Sequence, residues 1–193
     1  MTRPATVAVV VGSLRKDSFS RKVAEAIAEL APRNLTFRTV EIGDLPMFDQ
    51  DLEPTPPAQW VRLREEVASA DAVLFVTPEY NRSLPAVIKN AVDVGSRPYG
   101  HSAWNGKPGA VVSVSPGAIG GFGANHHLRQ SLAFLNVPTL QREAYVGGAG
   151  ALFDEQGKLV NEATKAFLTD YAAAFADWIE QVRPAPEAAR TAA

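Results

Sequence analysis

Val7-Ala8-Val9-Val10-Val11 is an unbroken apolar run, mostly β-branched, that breaks at once into Gly12-Ser13-Leu14-Arg15-Lys16-Asp17-Ser18-Phe19-Ser20. No other feature of the chain restricts the fold as much. A strand without polar alternation is buried on both faces, a condition met almost only in the middle of a parallel sheet covered by helices. After Ser20 the pattern turns helical, with Val23, Ala24, Ile27 and Leu30 on one face. A buried strand feeding a helix through such a loop leaves backbone N–H groups aimed at one spot, where the helix dipole favours an anion. Ser13, Ser18 and Ser20 add hydroxyl donors, and Arg15 a planar fork able to hold two phosphate oxygens. An ordinary capped helix start with a solvated arginine uses the same residue types, and this segment alone does not separate the two readings. Two familiar phosphate loops are excluded, because neither G-x-x-x-x-G-K-[ST] nor G-x-G-x-x-G occurs here. Hydroxyls stand where those loops carry glycines, which favours a terminal monophosphate over a bridging pyrophosphate.

The rest of the chain repeats the strand-then-helix pattern. Leu35–Val40 alternates as a second, more polar strand, and Ile42 to Pro57 is a long loop thick with prolines and acids. Loops of that length are uncommon unless functional or packed over something. Trp60, Leu63 and Val67 restart a helix, and Asp71–Thr77 is a buried third strand ending in Pro78-Glu79-Tyr80-Asn81. Pro85 suits the first position of a third helix, with Ile88, Ala91 and Val92 inward and an end near Gly95. Gly109–Val114 is a fourth strand leading into the glycine-rich Ser115–Gly121, and a helix through Leu128, Leu132 and Leu135 follows. Leu140–Val146 reads as a fifth strand. The last helix carries Phe167, Tyr171, Ala174, Trp178 and Val182 at steps of four and three.

Five such alternations predict one α/β/α domain over residues 1–183: a doubly wound, five-stranded parallel sheet in the order 2-1-3-4-5. The Pro/Ala-rich stretch 184–193 is expected to be disordered. The switch point then lies between strands one and three, where such sheets bind ligands, and the loops after strands one, three and four converge on it. A phosphate cradle on one side, with Tyr80, Asn81 and glycine-rich backbone on the other, describes a site for a mononucleotide with a flat polar ring. Flavin mononucleotide normally occupies this crevice in this strand order. A net charge of −2 without a basic stripe argues against nucleic acid as a main partner. The absence of cysteine rules out thiolate metal sites and thiol redox chemistry. With no signal segment and no apolar run near the roughly 20 residues that span a bilayer, no membrane association and a cytoplasmic location are expected.

Three motifs make the reading sharper. Gly12-Ser-Leu-Arg-Lys-x-Ser-Phe-Ser20, Pro78-Glu-Tyr-Asn-x-Ser83 and Leu84-Pro-Ala-Val-Ile-Lys-Asn-Ala-Val-Asp93 resemble the NAD(P)H-dependent FMN reductase family, in particular its bacterial quinone and chromate reductase branch, which includes azo-dye reductases. The likeness runs from the first strand through the last helix. It implies a flavodoxin-like fold and an enzyme that passes hydride from NADPH or NADH through bound FMN to a quinone, a free flavin, chromate or an azo compound. By that resemblance Ser13, Arg15, Ser18 and Ser20 hold the FMN phosphate, and Phe19 in the same loop belongs to the cofactor-binding set. Pro78, Glu79, Tyr80 and Asn81 line the isoalloxazine, and Ser115, Pro116, Gly117 and Ala118 border its pyrimidine end. The backbone N–H groups of that last stretch would favour negative charge there. The resemblance also implies homodimers or homotetramers with the third helix in the contact. Ala86, where many relatives carry glycine, departs from the pattern.

Other suggestive residues have plainer readings. No side chain is obliged to act as acid or base, so no catalytic residue is assigned. For Glu79, a backbone role at the ring or a cross-subunit ion pair outweighs acid catalysis. His126 and His127 point about 100° apart on a helix and so cannot chelate one metal ion together; a cap or interface role is expected. Asn90 and Asp93 read as a buried polar pair bracing loops or a dimer contact. Arg82 is expected to be exposed, facing either nucleotide phosphates or a partner's carboxylate. Tyr99, Trp104 and the third helix are more apolar than a lone surface needs. The main rivals are a flavodoxin-type electron carrier, disfavoured because such carriers dock through a strongly acidic face, and a scaffold with a vestigial site.

Overall fold

The computed structural model describes residues 3–183; the stretch 184–193, expected to be disordered, lies outside them. Strands β1 (Ala5–Val11), β2 (Leu35–Val40), β3 (Ala72–Pro78), β4 (Gly109–Val114) and β5 (Ala144–Val146) form one sheet in the order β2-β1-β3-β4-β5. Every pairing is parallel. Helices α1 (Phe19–Leu30) and α5 (Glu162–Val182) cover one face, and α2 (Ala58–Ala68), α3 (Ala86–Gly95) and α4 (Phe122–Phe134) the other. The period of two is visible in β1: Val7, Val9 and Val11 point into the α1/α5 layer, while Ala8 and Val10 point into the α2/α3/α4 layer. β1, β3 and β4 are therefore apolar on both sides, and β2, with Thr36, Arg38 and Thr39 exposed, is an edge.

Four expectations need correction. The fifth strand is only Ala144–Val146, not Leu140–Val146. Leu140 N still donates to Gly109 O (2.8 Å), but Arg129 on α4 donates to the carbonyls of Leu140 (2.9 Å) and Arg142 (3.1 Å), so a side chain takes those two carbonyls ahead of the short strand. Pro85 is the N-cap residue of α3, one position before the helix begins. In α5 the fully inward stripe is Leu168, Tyr171, Ala172, Phe175 and Ile179, with Phe167, Ala174 and Trp178 along its flank. Trp104 is not a surface residue: it is 0% exposed, and its indole donates to Val92 O at 3.0 Å. Its ring fills the space over Gly95, where an added Cβ would lie 2.5 Å from the indole.

The proline-rich loop after β2 is packed rather than loose. Ile42 and Leu45 are buried, and Phe48 stacks on Trp60 with centroids 5.5 Å apart. Asn90 on α3 is the brace: it accepts from Phe48 N (2.7 Å) and donates to Pro46 O (3.1 Å) and Leu45 O (3.3 Å). Asp93 plays no part in this. It is half-exposed and pairs with Lys89 one turn earlier (2.7 Å).

Candidate functional site

The loops after β1, β3 and β4 meet at the C-terminal end of the sheet, above the β1/β3 switch point. Gly12 N donates to Val76 O (2.9 Å), which ties the first loop to β3. A Cβ at Gly12 would lie 2.3 Å from Ile88 Cδ1 and 3.1 Å from Pro78 Cδ, so only glycine fits where this loop, the second loop and α3 converge. Ser18 caps α1, its hydroxyl oxygen accepting from Arg21 N at 3.1 Å. Ser13 Oγ accepts from Arg15 N at 3.4 Å. Both hydroxyls keep their own hydrogen for a further acceptor. Ser13, Ser18 and Ser20 are buried, whereas Arg15 and Lys16 are exposed. Among the described residues, the amides of Leu14, Lys16, Phe19 and Ser20 and the hydroxyl of Ser20 have no protein partner. Open amides, serine hydroxyls and a guanidinium at a helix N-terminus are a donor set, and a donor set of this kind fits a phosphate.

The second loop is a tight hairpin. Tyr80 N donates to Ser83 O and Ser83 N to Tyr80 O, both at 3.0 Å. Asn81 (φ 50°) and Arg82 (φ 64°) are left-handed, as the two-residue turn requires; asparagine tolerates this, but arginine stands where glycine is usual. Three contacts from α4 and its neighbour hold the turn. Glu79 Oε1 lies 3.2 Å from the Arg82 guanidinium, while its Oε2 accepts from Ala124 N at 3.2 Å in the first turn of α4. Gly123 lets the backbones touch, since a Cβ there would lie 2.5 Å from Arg82 O. Ser83 Oγ and His127 Nδ1 are 2.9 Å apart. Within this chain Glu79 is thus a clamp between the turn and α4, and Arg82 faces Glu79. Tyr80 and Asn81 remain exposed on the crevice loop.

The third loop offers fewer donors than expected. Ser115 N is committed to Val146 O (3.0 Å), Pro116 has no N–H, and Gly117 N donates to Ser115 Oγ (3.1 Å). Of that stretch only the Ala118 amide has no partner among the described residues. The loop is pressed onto the end of β5: a Cβ at Gly147 would lie 2.4 Å from Ala118 O, and Gly120 and Gly121 adopt φ of 64° and 79°.

The two histidines diverge as expected. His127 turns to Ser83, and His126 Nε2 meets the Tyr145 hydroxyl at 2.9 Å. No group of three or more metal-ligating side chains occurs among the described residues. Tyr145 also donates to Glu143; desolvation first, and then that carboxylate, push its pKa up to about 12. A polar core under the third loop escaped the sequence reading. Asn125 is 0% exposed; its amide donates to Ser113 Oγ (3.3 Å), Ala144 O (3.2 Å) and Val111 O (3.4 Å), and its Oδ1 accepts from Arg129 Nε (2.8 Å). The only available signal was an asparagine on the otherwise apolar face set by Leu128 and Leu132, and its partners come from two strands distant in sequence.

Residues 5–151 match the family model described as NADPH-dependent FMN reductase. A quinone reductase of Pseudomonas putida is 62% identical over 182 residues, covering 93% of this chain and 97% of that protein. A 2-hydroxy-1,4-benzoquinone reductase of a Burkholderia species is 44% identical over 178 residues, covering 92% and 97%. The solved structure of FerB, a flavoenzyme NAD(P)H:(acceptor) oxidoreductase from Paracoccus denitrificans, superposes with a TM-score of 0.88 at 42% identity over 93% of this chain and 100% of that one. The flavodoxin-like order, the three converging loops and these likenesses agree, and the chain belongs to the NADPH-dependent FMN reductase family.

Proposed function

We propose that this protein is an FMN-dependent NAD(P)H:quinone oxidoreductase, with quinones as its principal acceptors and free flavin, chromate or azo compounds as further ones. The carrying observation is the junction of a donor-rich loop at Gly12–Ser20, with open amides, three serine hydroxyls and Arg15, and the exposed ring loop at Tyr80–Asn81 across one switch point. The quinone reductases at 62% and 44% identity support the acceptor class and weigh against a plain electron carrier. Ser13, Arg15, Ser18 and Ser20 would hold the cofactor phosphate, with Phe19 in the same cofactor-binding loop. Pro78, Glu79, Tyr80 and Asn81 would line the ring, and Ser115, Pro116, Gly117 and Ala118 would border its pyrimidine end. FMN, when bound, supplies the two-electron chemistry. The protein positions it, and the Ala118 amide favours negative charge at the pyrimidine edge. Glu79 acts by holding the turn, not as an acid. A cytoplasmic location belongs to the same reading, because NAD(P)H is supplied there; no helix among the described residues is long and apolar enough to cross a membrane.

Pairing of chains into a homodimer or homotetramer is part of the proposal. The groove between α3 and α4 is flanked by Tyr99 and Phe134, 88% and 89% exposed, which is unusual for aromatic side chains on a lone surface. Light scattering at micromolar concentration should give a multiple of the chain mass, and Phe134→Glu should reduce it. For the activity, purified protein reconstituted with FMN should lose its flavin colour on anaerobic mixing with NADPH or NADH and regain it on adding a quinone. A flavin that stays oxidised with both nucleotides overturns the proposal.

A further inference from the structure

The segment Leu45–Phe48 has an organisation that phosphate and ring binding do not use. It leaves the C-terminal end of β2 and passes the first loop, where a Cβ at Gly43 would lie 2.9 Å from Leu14 Cδ2. It then reaches α3, the helix that follows the ring loop, and is fixed there. Asn90, 4% exposed, holds three of its backbone groups, and Trp60 Nε1 donates to Pro46 O at 2.9 Å. Main-chain atoms on both sides of Met47 are thus pinned, yet the Met47 side chain is 69% exposed. Leu14, 59% exposed, stands beside Gly43, earlier in the same loop. Ordinarily a long proline-rich loop tucks its apolar side chains in, as this one does with Ile42, Leu45 and Phe48. Here a braced backbone presents one flexible, polarisable apolar side chain on the loop that follows the C-terminal end of β2, the end of the sheet at which the crevice opens, and the phosphate loop presents a second. Thioethers adapt to varied apolar partners, which suits a site that accepts several related rings.

We infer that Met47, with Leu14, forms an apolar rim that selects hydrophobic acceptors, and that Asn90 is the positioning residue that holds Met47 there. The inference rests on the quinone reductase reading above and adds to it which residues discriminate among acceptors. Apolar contact made with the acceptor and not with a small hydrophilic one appears as a change in their kcat/KM ratio.

The test uses FMN-loaded protein with NADPH, an alkyl-substituted benzoquinone as the apolar acceptor and ferricyanide as the hydrophilic one. Met47→Ala should lower the benzoquinone-to-ferricyanide ratio of kcat/KM roughly 4- to 15-fold, the worth of one to two buried methylenes, mainly through KM. Met47→Asp should lower it further. Asn90→Ala should shift the ratio in the same direction, and the double variant should add less than the product of the two single effects, because a released loop no longer presents Met47. If Asn90→Ala does not fold, the surface Met47 variants still decide. Equal changes for both acceptors, or none, overturn the inference. A wild type that reduces neither acceptor overturns the underlying function instead, so the two failures are distinguishable.

Discussion

Replacing Arg15 by alanine separates a phosphate cradle from an ordinary helix start. The Arg15 side chain is exposed and forms no ion pair among the described residues, so its removal strands no buried partner. The contact it makes within the loop, N–H to Ser13 Oγ, is a backbone contact that alanine keeps. Folding stability should therefore change by no more than about 0.5 kcal/mol. A charge-assisted contact to a dianionic phosphate is worth roughly 1.5–3 kcal/mol, which converts to about 10- to 150-fold weaker FMN binding at 1.4 kcal/mol per tenfold. The open amides and serine hydroxyls remain, so binding should weaken without vanishing. Riboflavin lacks the phosphate and should bind wild type and variant equally weakly. Since the guanidinium is solvent-exposed, the attraction is screened over about 10 Å at 0.1 M salt, and added salt should weaken FMN less in the variant than in wild type. Flavin fluorescence titrations of both apoproteins, with FMN and riboflavin at two salt concentrations, read all of this. Equal FMN dissociation constants for wild type and Arg15→Ala would refute the cradle.

Three further outcomes are expected. If donor and acceptor take turns at one open side of the proposed site, double-reciprocal plots against varied NADPH and quinone should be parallel; intersecting lines would show both bound at once. Asn125→Ala removes a fully buried amide, leaving Arg129 Nε and Ser113 without that partner. It should cost about 3 kcal/mol or more, a fall in Tm of roughly 6–12 °C, and a shift under 2 °C by calorimetry (roughly 0.5–1 kcal/mol on the same scale) would contradict the network. Tyr145 has a pKa raised from 10.0 to about 12. Its contribution to stability is whole below pH 10 and is lost as pH rises through 12, because the unfolded chain ionises first. Glu143→Gln should bring its ionisation to lower pH in a tyrosinate absorbance titration, and an unmoved curve would remove Glu143 as a cause.

Much of this protein is legible along the chain because local rules decide it. Uninterrupted apolar runs at Val7–Val11, Ala72–Val76 and Gly109–Val112 can only be central parallel strands. The crossover rules then leave few orders, and the observed 2-1-3-4-5 is one of them. The serine-rich turn after β1 and the Pro-Glu-Tyr-Asn turn after β3 are contiguous, so their residue types display the donors and the exposed ring directly. What tertiary structure alone decided involves partners distant in sequence. For Glu79 the sequence suggested a backbone role at the ring or a cross-subunit ion pair, and only the fold shows that α4, more than forty residues on, puts the Ala124 amide against its carboxylate. Asn90 became the brace of a loop that begins about fifty residues earlier, and Trp104 went from surface aromatic to core because Gly95 leaves room for its ring. Of the amides from Ser115 to Ala118 only one stays open among the described residues, since β5 and a serine hydroxyl claim the others and proline has none. Periodicity assigns a residue to a face, but a hydrogen bond is set by whichever group from elsewhere in the chain arrives at that face.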